Sequence, residues 1–360
     1  MNKKWTVLPT LLMLTMAGTV AAQPVDRPAP QQEQPGPAPA LERAARLEMI
    51  ETLLASLNAH YVFPDKAKEI ETVLRQRVRE GKYDAATDGK QLAQQLTDDL
   101  RDIAHDKHMA VFYSPAPVPA DDAVGPPPTS KAEWEQRVSA DRRQAMRKRA
   151  QQSVEQVAHL TPRIGYLKLN GFPPPYFMAD RYAAAMNELA DTDGLIVDLR
   201  DNGGGGPDTV ALLVSYFVDE RTRLNDIWDR DTGSSTQNWT EDKLDGKRYG
   251  GKKPLLILAG PGTKSAGEDF AYTMQAMKRA TVVGERTWGG AHPSRPYRLG
   301  EHFFALIPAR RTISPITRTN WEGVGVAPDI AATPDKALAV ARDLMQRRLE
   351  GSTPLADAAR

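Results

Sequence analysis

Ser265 is the first residue in this chain whose position suggests chemistry. It stands where a short apolar run, Leu255-Leu256-Ile257-Leu258, gives way through Gly260-Pro261-Gly262 to a helical pattern. That pattern runs from Ala266 to about Lys278, with Phe270, Met274 and Met277 on one face. Thr281-Val282-Val283 then reads as a second strand, stopped by Gly284. A serine at a strand-to-helix turn faces the positive end of the helix, and the N–H of Ala266 can help to hold a developing oxyanion. That is the geometry of a nucleophile in acyl transfer. The same letters, Ser265-Ala266-Gly267-Glu268, also spell a capping box, in which the serine caps the helix and Glu268 reaches back. Taken alone the cap is the commoner role, and the G-x-S-x-G elbow of α/β-hydrolases is absent.

Two other strings bear on the choice. Gly194-Leu-Ile-Val-Asp198-Leu-Arg200-Asp201-Asn202 is a buried strand that runs into four glycines, Gly203 to Gly206, and then Pro207. Such a loop can bring backbone N–H groups close to a ligand, and four glycines are costly in entropy unless they are used. It fits neither a dinucleotide fingerprint nor a phosphate loop nor a calcium-binding loop. The other string, Asn320-Trp321-Glu322-Gly323-Val324-Gly325, puts a carboxylate in a turn. Six histidines are present. His105 and His108, three positions apart, lack a convincing carboxylate partner or an H-E-x-x-H frame, so no metal site is expected.

Around these strings, Arg163 onward alternates strands (Ile164 to Leu169, Gly194 to Leu199, Phe303 to Ile307) with helices (Asp180 to Ala190, Pro207 to Val218), which is an α/β pattern. Residues 41–104 read as three amphipathic helices that must lean on something larger to bury their faces. They lead into His105-Asp106-Lys107-His108 and a strand from Met109 to Tyr113. Between the two regions lie a proline-rich loop, Pro115 to Pro128, and a charged stretch, Ala132 to Gln156, read as a solvated helix or hairpin.

The chain opens on Lys3 and Lys4, an apolar core from Leu8 to Met16 and small residues at Val20-Ala21-Ala22, the pattern of an export signal cleaved after Ala22. The core is shorter than the ~20 apolar residues of a membrane span. Losing both lysines takes the formal charge from +1 to −1, which gives no electrostatic reason to expect nucleic acid. Residues 23–40 form a Pro-rich tether. No cysteine is present, which excludes disulfides and thiolate sites.

Three strings in order, DLRDNGGG, then TKSAGED with VVGERTWGG, then NWEGVGVAPDI, resemble the S41 peptidases. That family includes the C-terminal processing proteases, the tricorn core protease and the repeats of interphotoreceptor retinoid-binding protein. The helical region ending in Asp106-Lys107-His108 is similar to the N-terminal domain of the last branch, and no PDZ insert is evident. The resemblance implies a crotonase/ClpP-like α/β catalytic domain with a small helical N-terminal domain. The boundaries it suggests are 41–115 for the helical domain, 116–155 for the connector, 156–345 for the catalytic domain and 346–360 for a tail.

It also implies roles. Ser265 matches the nucleophile, with oxyanion donors at Ala266 and at Gly203 or Gly204. The position of the processing proteases' lysine base is taken by Gly290. The tricorn-like alternative matches a histidine base to His108 and an acid to Glu322, with Lys107 where a serine would stand. His108 is expected within hydrogen-bond reach of Ser265, or a few ångströms further in an open form, with Glu322 on the far side of its ring. The Asp106-to-Tyr113 segment should lie against the α/β domain beside the glycine loop. Activity should fall as pH drops through an imidazole titration near ~6.5.

The expected function is a periplasmic or secreted serine endopeptidase acting on peptides or unfolded proteins, without a cofactor. The alternative is a non-catalytic binding module for an apolar ligand on the same scaffold.

Overall fold

The computed structural model describes residues 42–86, 88–118 and 130–351. The expected export segment, the tether, most of the proline-rich loop and the end of the tail lie outside the described residues. Helix α1 (Arg43–His60) buries Met49, Ile50, Leu53, Leu54 and Leu57, the spacing of one helical face. Helix α2 (Pro64–Arg79) starts on a proline, which suits the first turn because its missing N–H would have no partner there. Helix α3 (Gly89–Ala104) is capped by Asp88, whose side chain accepts from Gln91 N–H, and ends at His105 in the left-handed region, φ 57°. Strand β1 (Ala110–Tyr113) follows. Helices α4 (Lys131–Arg137) and α5 (Ala140–Ser153) form the charged stretch. Each begins on a capping serine, and the second is mostly exposed.

The α/β part comprises β2 (Val154–Thr161), β3 (Ile164–Leu169), α6 (Pro175–Leu189), β4 (Gly194–Asp198), α7 (Pro207–Val214), β5 (Arg223–Asp229), β6 (Ser234–Trp239), β7 (Leu255–Ala259), α8 (Ala266–Ala276) and β8 (Thr281–Gly284). It continues with β9 (Ser294–Arg298), β10 (Phe303–Pro308), β11 (Arg310–Ile313), β12 (Ile330–Ala331) and α9 (Ala337–Gly351). The main sheet has the order β12-β8-β7-β4-β3-β2, parallel except for β2 at the edge. Strands β4 and β7 are buried at every residue, as continuous apolar runs demand. Leu195, Val197, Leu255 and Ile257 pack under α6, α7 and α8. Ile196, Leu256 and Leu258 point the other way, onto Ala337, Ala341 and Met345 of α9.

The helices α1–α3 do not close a core by themselves. Their buried leucines share one cluster with Tyr297, Leu299, Phe303, Ala305 and Ile307. Strand β1 pairs antiparallel with β10, Ala110 opposite Leu306 and Tyr113 opposite Phe303. This fixes the segment carrying His108 against the later part of the chain. Parallel pairing does the rest of the positioning: the connections leaving β3, β4, β7 and β8 must all emerge at the same edge of the sheet, where ligands of open α/β sheets bind. Those connections carry Asn170, the glycine loop, Ser265, and the segment Thr287 to His292.

Candidate active site

Ser265 sits at the N-cap of α8 with φ 49° and ψ −114°. A non-glycine residue held there stores on the order of 1–3 kcal/mol of strain, a feature that clusters at functional sites. Ser265 and Glu268 occupy both positions of a capping box, but only the glutamate half is closed by a well-formed hydrogen bond. Ser265 N–H donates to Glu268 Oε2 at 2.9 Å, and the serine side chain faces the Glu268 backbone N–H as the other half of the box. N-cap residues ordinarily take extended backbone angles, so the cap alone does not account for the strained conformation of this serine.

Glu268 has a larger role than the sequence suggests. It is completely buried. Its Oε2 also accepts Gly290 N–H at 3.0 Å, and its Oε1 accepts the Thr287 hydroxyl at 2.6 Å and Gly289 N–H at 2.5 Å. Burial pushes its pKa up, and the bonds from Thr287, Gly290, Gly289 and Ser265 oppose that shift. One carboxylate thus holds the serine's backbone and the 287–290 loop together.

The glycine loop packs directly on the serine. Gly204 has φ 88°, and a Cβ there would lie 2.9 Å from Ser265 Cβ, 3.0 Å from Lys264 O and 3.3 Å from Ala266 N. Only glycine allows that approach. Buried Asn202 ties the loop down: its Nδ2 donates to Leu169 O and its Oδ1 accepts Gly204 N–H, both at 2.9 Å. Gly203 N–H donates to Asn170 O at 3.0 Å. Both expected glycine donors are therefore engaged inside the protein. Ala266 N–H, in the first turn of α8, has no partner among the described residues.

His108 packs against the 287–290 loop. Its ring packs edge-on against Trp288, centroids 5.0 Å apart. A Cβ built on Gly290 would come within 2.6 Å of His108 Cε1. The imidazole thus fills the space that a side chain at position 290 would enter. Lys107 fastens the segment by donating to Trp288 O at 2.5 Å. Both ring nitrogens of His108 are buried without a hydrogen-bond partner. Burial lowers its pKa to about 4, against a raising influence from Asp106.

Glu322 is not the partner of His108 in this state. Its Oε2 accepts Ala291 N–H at 2.5 Å and lies 3.4 Å from His292 Nδ1. Burial, and next the nearby Asp106 charge, raise its pKa to about 7. Asp106 Oδ1 accepts His108 N–H at 3.0 Å, and Asp106 Oδ2 is 3.2 Å from His292 Nδ1. The structure therefore gathers Ser265, Ala266 and Gly204 at one point and sets His108 against Gly290, while Glu322 joins His292 and Asp106. His292, Asp106 and the clamp role of Glu268 were not singled out by sequence reasoning.

The profile described as peptidase family S41 matches residues 163–332, and the profile of the N-terminal domain of S41 peptidases in eukaryotic IRBP matches residues 40–146. The chain is 30% identical to chloroplastic carboxyl-terminal-processing peptidase 2 of Arabidopsis thaliana, over 47% of this chain and 32% of that protein. It is 31% identical to the carboxyl-terminal-processing protease of Synechocystis sp., over 35% of this chain and 28% of that one. It spans about a third of the length of these relatives. Among solved structures, one from Parabacteroides merdae superposes with a TM-score of 0.57 at 16% identity, covering 86% of this chain and 99% of that one, a likeness of fold. Among the described residues no helix is long and apolar enough to cross a membrane.

Proposed function

The chain belongs to peptidase family S41, and from that premise we propose that it is an exported serine endopeptidase that hydrolyses peptide bonds in peptides or unfolded proteins. The single observation that carries this reading is the strained Ser265 at the N-terminus of α8, with Gly204 against it and Ala266 N–H free. Ser265 Oγ attacks the peptide carbonyl while neutral His108 takes its proton. The carbonyl oxygen becomes an oxyanion held by Ala266 N–H. His108 then returns the proton to the leaving amine, and water releases the acyl group by the same route. With a pKa of about 4, His108 stays neutral and able to accept a proton throughout the neutral range.

The described arrangement is a resting one on this reading. His108 must gain Ser265 on one ring nitrogen. A glycine-loop N–H must also turn from Asn170 O or Asn202 Oδ1 to complete the oxyanion hole, and Glu322 must leave His292 if it is to orient His108. We assign a helical N-terminal domain to 41–115 and a catalytic domain to 156–345; the matched profiles, 40–146 and 163–332, support a division of the chain between residues 146 and 163. The signal pattern at Met1–Ala22 supports export to the periplasm or beyond. The test is cleavage of an unfolded protein by wild type, Ser265→Ala and His108→Ala. Loss in both variants, by orders of magnitude, is expected. Undiminished cleavage by Ser265→Ala overturns the reading.

A further inference from the structure

Asp106, His292 and Glu322 each offer one ligand atom, and the three atoms lie within 4.8 Å of one another. These are not solvated surface groups: their side chains are 2%, 4% and 16% exposed. His292 Nδ1 stands 3.2 Å from Asp106 Oδ2 and 3.4 Å from Glu322 Oε2. In a tetrahedral site with ligand bonds of about 2.0–2.1 Å, neighbouring donor atoms are about 3.3–3.4 Å apart. Both spacings come close to that edge.

The donors are also held from behind, as ligands of a metal site are. Asp106 Oδ1 accepts His108 N–H, Tyr61 OH lies 3.4 Å from Asp106 Oδ2, Ala291 N–H donates to Glu322 Oε2, and the Phe63 ring packs edge-on against His292. Glu322 Oε1 is buried with no partner. A cavity of about 450 Å³, walled by Tyr61, Phe63, Ala104 and His105, opens onto the three residues and leaves room for a further ligand. Lys66 also lines it but is paired with Glu69 at 2.7 Å. A buried and a half-buried carboxylate thus flank one imidazole.

We propose that Asp106, His292 and Glu322 form a binding site for a divalent cation of the zinc class, and that the bound ion represses the peptidase by holding Glu322 away from His108. The donor set selects the ion: an imidazole with two carboxylates suits zinc and its neighbours, whereas calcium and magnesium take oxygen ligands alone. The repression, though not the binding, rests on the peptidase reading above.

The test uses the full chain carrying Ser265→Ala, stripped with a chelator and titrated with Zn²⁺ by calorimetry. One ion per chain is expected, with at least tenfold weaker binding in each of His292→Ala and Glu322→Gln added to that background, and no saturable heat from Mg²⁺. Circular dichroism checks both folds. Glu322→Gln, nearly isosteric, stands as the decisive variant if His292→Ala does not fold. No saturable binding, or binding unchanged by Glu322→Gln, overturns the site and leaves an imidazole that merely bridges two carboxylates. In the second arm Zn²⁺ is added to active wild type. Inhibition reversed by chelator supports repression, and full cleavage at saturating ion overturns it. Failure of the metal-free wild type to cleave counts against the peptidase reading, and the binding result stands apart from it.

Discussion

Replacing Glu268 tests whether one carboxylate holds the site together. Each carboxylate oxygen accepts two bonds, Oε2 from Ser265 and Gly290 N–H and Oε1 from Gly289 N–H and the Thr287 hydroxyl. Glu268→Gln turns one oxygen into a donor, and the amide will take the less costly orientation. With its nitrogen at the Oε1 position, the Thr287 hydroxyl can rotate to accept, and a single buried N–H, that of Gly289, loses its partner. One such group costs about 1–3 kcal/mol, so this variant should fold with that loss of stability. Glu268→Ala leaves all four donors without an acceptor. At the same rate the cost is on the order of 4–12 kcal/mol, comparable with the ~5–15 kcal/mol that holds a typical domain folded. It should not fold stably. Urea titration followed by circular dichroism reads both values, and cleavage of an unfolded protein reads whether Ser265 and Gly290 remain in place. Glu268→Ala within about 1 kcal/mol of wild type would refute the clamp.

Three further outcomes follow from the same geometry. Ser265→Gly relieves the φ 49° conformation and should be more stable than Ser265→Ala by about 1 kcal/mol or more; equal denaturation midpoints would mean that the serine is unstrained. In chelator-containing buffer, kcat/KM should hold from neutral pH to about 5 and halve near 4, because burial favours neutral His108 and protonation removes the base; a midpoint near the ordinary ~6.5 would place the imidazole in water. Gly290→Ala puts a methyl 2.6 Å from His108 Cε1 and 2.4 Å from the Trp288 ring. It should lower kcat at least tenfold by displacing the base, with a modest loss of stability, and an unchanged kcat would show that His108 acts from elsewhere.

The sequence makes parts of this fold plain and hides others for physical reasons. Strands β4 and β7 are short apolar runs because both faces are covered, and α3 shows its helical period and its Asp88 cap. Strand β6, Ser234–Trp239, is polar and largely exposed, so no alternation marks it. Strand β9 contains Pro296, a residue that argues against a strand unless an edge is available. Helix α6 begins at Pro175, earlier than the expected Asp180, because proline is well suited to a first turn. The signal for α9 lies in Ala337, Ala341, Met345 and Leu349, four residues apart on one face. In the site, the serine and glycine loop are legible because each follows a recognisable strand. The contact of His292 with Asp106 spans 186 positions, and no local pattern records it. A capping box accounts for one of the four bonds of Glu268, and the other three come from a loop that only the tertiary fold brings near.

The most direct test of the account is covalent labelling of the nucleophile. Wild type is treated with a fluorophosphonate, digested, and the modified peptide mapped by mass spectrometry, alongside Ser265→Ala and His108→Ala. The account predicts a single adduct on Ser265, much slower in His108→Ala and absent from Ser265→Ala. An adduct on another serine, or no adduct on a preparation that still cleaves an unfolded protein, would contradict it.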